Sequence, residues 1–519
     1  MVLLDGATLT LDALERIARD REPVGIAPEA AARVRASRAV VVDHLERATP
    51  VYGVNTGFGA LADVAIPADQ LAALQLNLLR SHAAGVGEPL TVPAVRALMA
   101  LRANVLAKGF SGIRIETLEA LIALLNAGVH PRVPARGSVG ASGDLAPLAH
   151  LALVLVGEGE VMEDEERPPG SLSAGRREPA RSSTTPEVLS RAGLKPMTLG
   201  PKEGIALING TQASAAVLAL ACSDARRLTR TADIAAAMSI DALRGSIHPF
   251  EARIHAARPV PGQAASASNL WGLVDGSGIN RSHETCGKIQ DAYALRCAPQ
   301  VHGAAREALE FARRLAEIEA NAATDNPMVF AETGDIVSGG NFHGAPVAVA
   351  ADTLAIGLAQ LATISERRTD RLMTPDESGL PPFLIRESGL HSGLMMAQVT
   401  AAALAAEIKT LAHPASVDTI PTSAGREDHV SMSMGAALKA AAIVDRTRAV
   451  IAIEILAASQ ALDLLSPLTT SAALQRVHAT VRKSVPTLVE DRPPAPDIER
   501  IASMIASGEI ERACGIDLR

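Results

Sequence analysis

A chain of 519 residues that is 48% hydrophobic but only 2% aromatic has to build its core from alanine, leucine, isoleucine and valine. It is long enough to bury a large one. A net charge of −8 without any long basic run excludes the electrostatic footprint of a nucleic-acid binder or of a protein drawn to an anionic membrane. No apolar run is long enough to span a bilayer, and the opening MVLLDGATLTLDALERIARD has neither a basic n-region nor an apolar h-region, so neither a membrane span nor a secretory signal is expected.

Alanine and leucine favour helix, and the aromatics that favour strands are nearly absent, so the chain is predicted to be mainly α. In chain order, Leu71, Leu74, Leu78 and Leu79 mark one helical face, and Val95, Leu98, Met99 and Leu101 a second. Leu118, Leu121, Ile122 and Leu125 mark a third, stopped by Asn126-Ala127-Gly128. Longer helices are predicted over roughly 303–323, 346–367, 393–412 and 432–464, lengths that favour side-by-side packing in a bundle. Between the helices lie turn-rich stretches at 51–60 and 131–144, a Pro-, Glu- and Ser-rich surface excursion at 158–201, and a loop with a short hairpin at 324–345. The expected organisation is a mixed N-terminal domain, 1–210, followed by a long central helical bundle, 211–519.

The four cysteines, Cys222, Cys286, Cys297 and Cys514, form no CxxC pair and read as reduced, buried thiols of a cytoplasmic protein. Thirteen histidines include no i, i+4 pair and no HExxH, so no metal site is expected.

The most informative stretch is GSVGASGDLAPLAH, 137–150. Glycines at 137, 140 and 143 surround a small triad, Ala141-Ser142-Gly143, and permit backbone geometry closed to other residues. A phosphate loop does not fit, because neither GxxxxGK[ST] nor GxGxxG is present. A nucleophile elbow fails as well, since GxSxG needs glycine at 144, where Asp144 stands. Two readings stay open: a glycine-rich loop capping the next helix, or a turn that presses the Gly143 nitrogen onto the Ala141 carbonyl carbon. In the second, a five-membered ring closes and Ser142 loses its hydroxyl. After loss of two waters the product is a methylidene-imidazolone, an electrophile that no ordinary side chain supplies.

This loop closely resembles the prosthetic-group loop of the histidine/phenylalanine ammonia-lyase family. VYGVNTGFGAL (51–61), LLRSHAAGVGEP (78–89), ALINGTQ (206–212), QDAYALRCAPQVHGA (290–304), TDNP (324–327), GGNFHG (339–344) and SVDTIPTS (416–423) resemble the same family, in family order over about residues 51 to 433. The resemblance implies a 4-methylidene-imidazol-5-one formed autocatalytically from Ala141-Ser142-Gly143, with no metal and no external coenzyme. It further implies a small amino-acid substrate, a homotetramer whose sites are built by several subunits, and no nucleic-acid or membrane partner.

The resemblance also implies the roles of side chains. The only tyrosines, Tyr52 and Tyr293, both fall inside these motifs. Tyr52 is the implied base for the substrate's β-proton, which requires a phenol activated by its surroundings, and Tyr293 is implied to sit against the ring. Arg296, three residues on, shares a helical face with Tyr293 if this stretch is helical, and its planar fork suits an α-carboxylate. Asn209 and Gln290 resemble the family's polar groups around ring and substrate, and Phe342 resembles a pocket-lining residue. Asn326, before Pro327, suits either a site or an ordinary turn. His82, after Ser81, and Glu427 stand where the histidine-specific branch places groups that engage an imidazole. Gly425 and Arg426 depart from the family pattern, which usually has an amide just ahead of that acid. Histidine is therefore the expected substrate, with urocanate as product. The alternatives are a tyrosine or phenylalanine lyase, an aminomutase of the same family, an inactive binding protein on the same fold and, more remotely, a Ser142 hydrolase.

Overall fold

Thr10 and Thr91 each accept a backbone N–H three residues on, from Ala13 and Ala94, satisfying donors that a helix start leaves orphaned. Each opens one of the helices, Leu11–Arg19 and Val92–Ala107, that assemble the N-terminal part. The computed structural model describes residues 1–47, 51–57, 64–162, 184–284 and 289–519. Among the described residues, strands occur only as two-stranded pairs. Val2–Leu4 runs parallel to Val24–Ile26, while Val86–Pro89 with Pro134–Arg136, His130–Pro131 with Val161–Met162, and Met328–Phe330 with Asp335–Val337 are antiparallel. The last pair is the hairpin expected within 324–345. The excursion at 158–201 holds one of these strands and a short helix, Thr185–Arg191, while residues 163–183 lie outside the described residues.

The second half is a bundle of long helices: Gln212–Ala242, Ala298–Ala320, Ala345–Met373, Met395–Leu411 and Ser433–Leu464. Ala345–Met373 packs against Ser433–Leu464 and Ala298–Ala320, and Ser433–Leu464 packs in turn against Gln212–Ala242. Four of the five match the predicted segments. Gln212–Ala242 does not, because it is buried on nearly every side. A helix without a polar face lacks the 3.6-residue alternation that reveals an amphipathic one. Ala345–Met373 is apolar and long enough to cross a membrane, yet 67% of its most apolar window is buried against the rest of the protein, as befits a bundle core. Where the helices approach closely, small residues line the contact: a Cβ on Gly357 would stand 2.7 Å from that of Ala308. The main hydrophobic core is one contiguous cluster running from Leu4 to Leu518.

Charges inside this apolar bundle are paired. Arg368 and Glu454, both fully buried, meet at 2.5 and 2.9 Å, and Glu454 also accepts the hydroxyls of Ser239 and Ser365. Removing one partner of such a pair costs about 3–5 kcal/mol. Burial pushes Asp233 upward, but the Arg306 guanidinium and hydrogen bonds from His302 and Ser266 outweigh it and hold the carboxyl well below its usual range. Cys222 and Cys514 are buried free thiols, and burial pushes Cys222 up to about 12. Cys297 corrects the expectation for the cysteines: it is only partly buried, because it sits at the join of two helices. Cys286 lies outside the described residues.

Candidate active site at the glycine-rich loop

Gly140 and Gly143 both adopt φ of +69°, a conformation side chains resist. Gly143 forms a parallel bridge with Gly210, and a Cβ there would stand 2.2 Å from the Gly210 carbonyl oxygen. The next N–H, of Asp144, donates to that same carbonyl at 2.7 Å. Gly140 is clasped from the other side. Its carbonyl accepts the Ser431 hydroxyl at 2.8 Å and the Gly344 N–H at 3.1 Å, while the Val139 carbonyl accepts the Met432 N–H at 2.8 Å. A turn that only glycine can make is thus wedged between the starts of two bundle helices.

Asp144, fully buried, fixes the loop to the Gln212–Ala242 helix. One carboxyl oxygen accepts the Ser138 hydroxyl at 2.7 Å; the other accepts the Ser214 N–H at 2.7 Å and hydroxyl at 2.8 Å. Burial raises the Asp144 pKa against those hydrogen bonds, and the helix N-terminus favours its charge. Nearby, Thr211 donates to Glu319, whose pKa burial also raises. Arg102, likewise fully buried, donates to the carbonyls of Asn209 (2.9 Å) and Ala206 and to Gln212 Oε1 (2.6 Å), and burial lowers its pKa to about 10. Lys202 and Asp325 pair at 3.4 Å in the same buried layer, where desolvation lowers the ammonium's pKa.

On this support the expected site residues separate into two groups. Ser142, half-buried, donates from Oγ to Glu427 Oε1 at 2.8 Å, and Glu427 Oε2 accepts the Thr422 hydroxyl at 2.5 Å. His82 ends the Leu71–His82 helix, with Nδ1 2.9 Å from the Leu78 carbonyl. Ser81 Oγ also lies 3.0 Å from Nδ1; with its proton on Nδ1, toward the Leu78 carbonyl, the ring keeps Nε2 as an acceptor. Burial lowers the His82 pKa, opposed by that hydrogen bond and by the nearby charge of Glu427. Arg426 is exposed and makes no ion pair with Glu427 among the described residues. Asn209 caps the Glu203–Ile208 helix and donates from Nδ2 to the Asn326 carbonyl at 3.1 Å, while its own Oδ1 is buried with no hydrogen-bond partner. Asn326 Oδ1 accepts the Gly339 N–H at 2.8 Å, and Phe342 is half-buried two residues before Gly344.

The second group stands open. Tyr293 is 70% exposed, and Gln290 is exposed beside Ile289. Tyr293–Arg296 is a single helical turn, so the expected shared face exists: the Arg296 guanidinium lies 4.7 Å from the Tyr293 ring centroid. Arg296 also donates to the Asp291 carbonyl at 2.9 Å, and buried Arg368 donates to the Ala294 carbonyl at 3.4 Å, tying the turn to the bundle. Tyr52, half-buried, occupies a turn at 51–55 closed by Val51 N–H donating to Asn55 Oδ1 at 2.7 Å. Among the described residues no hydrogen bond, ion pair or ring contact joins Gln290, Tyr293 or Arg296 to Ser142, Glu427 or His82.

Sequence reasoning missed the supports: Ser138, Thr422, Ser431, the carboxylates of Asp144 and Glu319, and the cations Arg102 and Lys202. Arg102 did leave a signal, a lone charge in the apolar run MALRANVLA, which is a pattern of buried, partnered ions. Thr422 left none, because its role depends on a bridge to Glu427 made only in the fold.

Proteins that share this frame, a glycine-built turn carried at the head of a helical bundle, give the class: this is an enzyme, a carbon–nitrogen lyase of the largely helical kind. The chain belongs to the aromatic amino acid lyase family, whose family model matches residues 9–483. It is 56% identical over 512 residues to the histidine ammonia-lyase of Anaeromyxobacter sp. (strain K), covering 98% of this chain and 99% of that one. Among solved structures it resembles histidine ammonia-lyase from Trypanosoma cruzi, with a TM-score of 0.90, 44% identity and coverage of 99% and 95%. It also resembles tyrosine aminomutase from Streptomyces globisporus, with a TM-score of 0.93, 39% identity and complete coverage of both chains.

Proposed function

We propose that this chain eliminates ammonia from L-histidine to give trans-urocanate, with a 4-methylidene-imidazol-5-one formed autocatalytically from Ala141-Ser142-Gly143 and without metal or external coenzyme. The observation that carries the reading is Glu427 on the Ser142 hydroxyl, with His82 near enough to feel the charge of Glu427: two groups able to hydrogen-bond an imidazole, one of them at the triad itself. The higher identity to histidine lyases than to the tyrosine aminomutase supports the same substrate. The residues present fit the ring. Gly143 has no Cβ to block attack by its nitrogen, Gly210 holds the turn tight, and Asn209 Oδ1 is a buried acceptor left without a partner beside it. When formed, the ring supplies an electrophile that makes the substrate's amine a better leaving group.

The remaining work falls to side chains. His82 Nε2 and Glu427 hold the substrate imidazole, Arg296 binds the α-carboxylate with its fork, and Tyr52 removes the β-proton from a fixed position. Tyr293 packs at the ring, Asn209, Gln290 and Asn326 supply polar contacts, and Phe342 lines the pocket. In this reading residues 1–210 form the domain that carries the loop and 211–519 the bundle. The protein works in the cytoplasm as a homotetramer whose neighbouring copies complete each site. Exposed Ile289 and Tyr293 at the turn, and exposed apolar side chains on two bundle helices (Val349, Ile356, Met396, Val399), support burial against further copies of the chain. The test compares kcat/KM for histidine, tyrosine and phenylalanine, following ammonia and an ultraviolet-absorbing acid. A site that hydrogen-bonds its substrate rejects analogues lacking those groups by as much as about 10⁴-fold. A tenfold preference for tyrosine or phenylalanine defeats the histidine assignment.

A further inference from the structure

The contact between Ser142 and Glu427 involves the serine hydroxyl, and that hydroxyl is the group the triad must lose. Ser142 Oγ lies 2.8 Å from Glu427 Oε1, and Glu427 is held there by the Thr422 hydroxyl on its other oxygen and by the Thr422–Glu427 bridge. Ser142 and Glu427 are 285 residues apart, so nothing local brings them together. An acid whose sole use was to grip a substrate imidazole would have no need to touch the hydroxyl of the unmodified chain.

The geometry points to a second task for Glu427: it is the acid that protonates the departing Ser142 hydroxyl while the prosthetic group is being made. This rests on the ring proposed above. In the first stage the Gly143 nitrogen bonds to the Ala141 carbonyl carbon. The proton shed by the Gly143 nitrogen goes to the carbonyl oxygen, and that hydroxyl leaves as water with a second proton from the Ser142 N–H as the ring C=N forms. In the second stage a water molecule takes the proton from Ser142 Cα, and the freed electron pair forms the Cα=Cβ bond as Cβ–Oγ breaks. That water hands the proton to the Glu427 carboxylate, which passes it to Oγ, so Oγ departs as water. The carboxylate ends the stage as it began, so the net change is loss of one water. Thr422 is a positioning residue: its hydroxyl orients the acid.

The test follows the mass of the loop peptide with time as the chain is synthesised in a cell-free system, for the wild type, Glu427→Gln and Glu427→Asp. Glutamine keeps the size and an acceptor but has no proton of an acid to give. Positioned acid catalysis contributes about 10²–10⁴-fold, so the second water is expected to leave at least a hundredfold more slowly in Glu427→Gln. Peptide lighter by only one water accumulates. Glu427→Asp retains the acid and is expected to mature at a rate between the two. Loss of both waters from Glu427→Gln at the wild-type rate overturns the inference, as does equal slowing of the Gln and Asp variants, which marks a packing role. If Glu427→Gln is insoluble, Thr422→Val serves: several-fold slower loss of the second water supports the inference, and an unchanged rate overturns it. A wild-type peptide that loses no water at all defeats the proposed ring itself, an outcome distinct from each of these.

Discussion

In the proposed function the loop at 137–144 and the turn at 289–296 carry two halves of one site, and the chain treats them differently. The loop is closed in: Ala141, Gly143 and Asp144 are buried, and contacts arrive from Gly210, Ser214, Gly344, Ser431 and Met432. The turn is anchored from beneath, by buried Leu295, by Arg368 and by Asp291, and leaves Tyr293 outward. A reaction of the backbone with itself has to be set up within one chain, since a misplaced Gly143 nitrogen cannot reach its carbonyl. Groups that only hold and deprotonate a substrate can be delivered later by another copy. In the proposed function the closed half is where chemistry begins, and the open half is where a second copy would complete the site.

The sharpest break of this contrast is Ser142→Ala. With no hydroxyl to lose, the two-water loss and nearly all activity should vanish while circular dichroism keeps its helical signal; retained activity would remove the loop from the chemistry. Tyr52→Phe deletes one hydroxyl from the substrate-handling half, so kcat should fall by about 10²–10⁴-fold with the loop mass still two waters light. A loss below about tenfold makes Tyr52 pocket lining. Arg296→Lys keeps charge but loses the fork, and KM should rise about tenfold with kcat little changed. Refolding Ser142→Ala together with Arg296→Met sharpens the division between copies. If sites are composite, mixed assemblies regain part of the activity that each variant lacks alone, and no gain means that one chain makes the whole site.

The smallest effect is on stability. Asp241 accepts the Ser277 hydroxyl on both oxygens at 2.8 Å, anchoring the turn that leads toward the open half. Burial pushes its carboxyl from 3.8 up to about 6. The unfolded chain gives up this proton first, so its contribution is full below about pH 3.8 and is lost as pH rises through about 6. Asp241→Asn should leave Tm unchanged near pH 4 and gain about 3 kcal/mol well above pH 6; an equal shift at both pH values points to packing instead of charge.

Much of the fold was legible because the signals are local. Leu118, Leu121, Ile122 and Leu125 lie on a helix that ends at Asn126, with Gly128 beyond it at φ of +70°. The pairing of Tyr293 with Arg296 followed from their spacing in one helical turn. The Gln212–Ala242 helix was not legible, because burial all round erases the contrast between faces on which periodicity depends. Arg426, a departure from the family pattern beside Glu427, is exposed and makes no ion pair with that acid among the described residues.

The residues by themselves determined that this is a helical protein with one glycine-built turn around Ala141-Ser142-Gly143, because helix propensity and glycine's conformational range act over a few neighbouring positions. Only the tertiary structure decided that Glu427 lies on the Ser142 hydroxyl, that Asp144 ties the loop to a helix start, and that Arg102 and Lys202 are buried with partners. Those pairings join residues far apart in the chain. They exist because a polar group carried into the core by its neighbours has to find its partner there or bear the cost of desolvation.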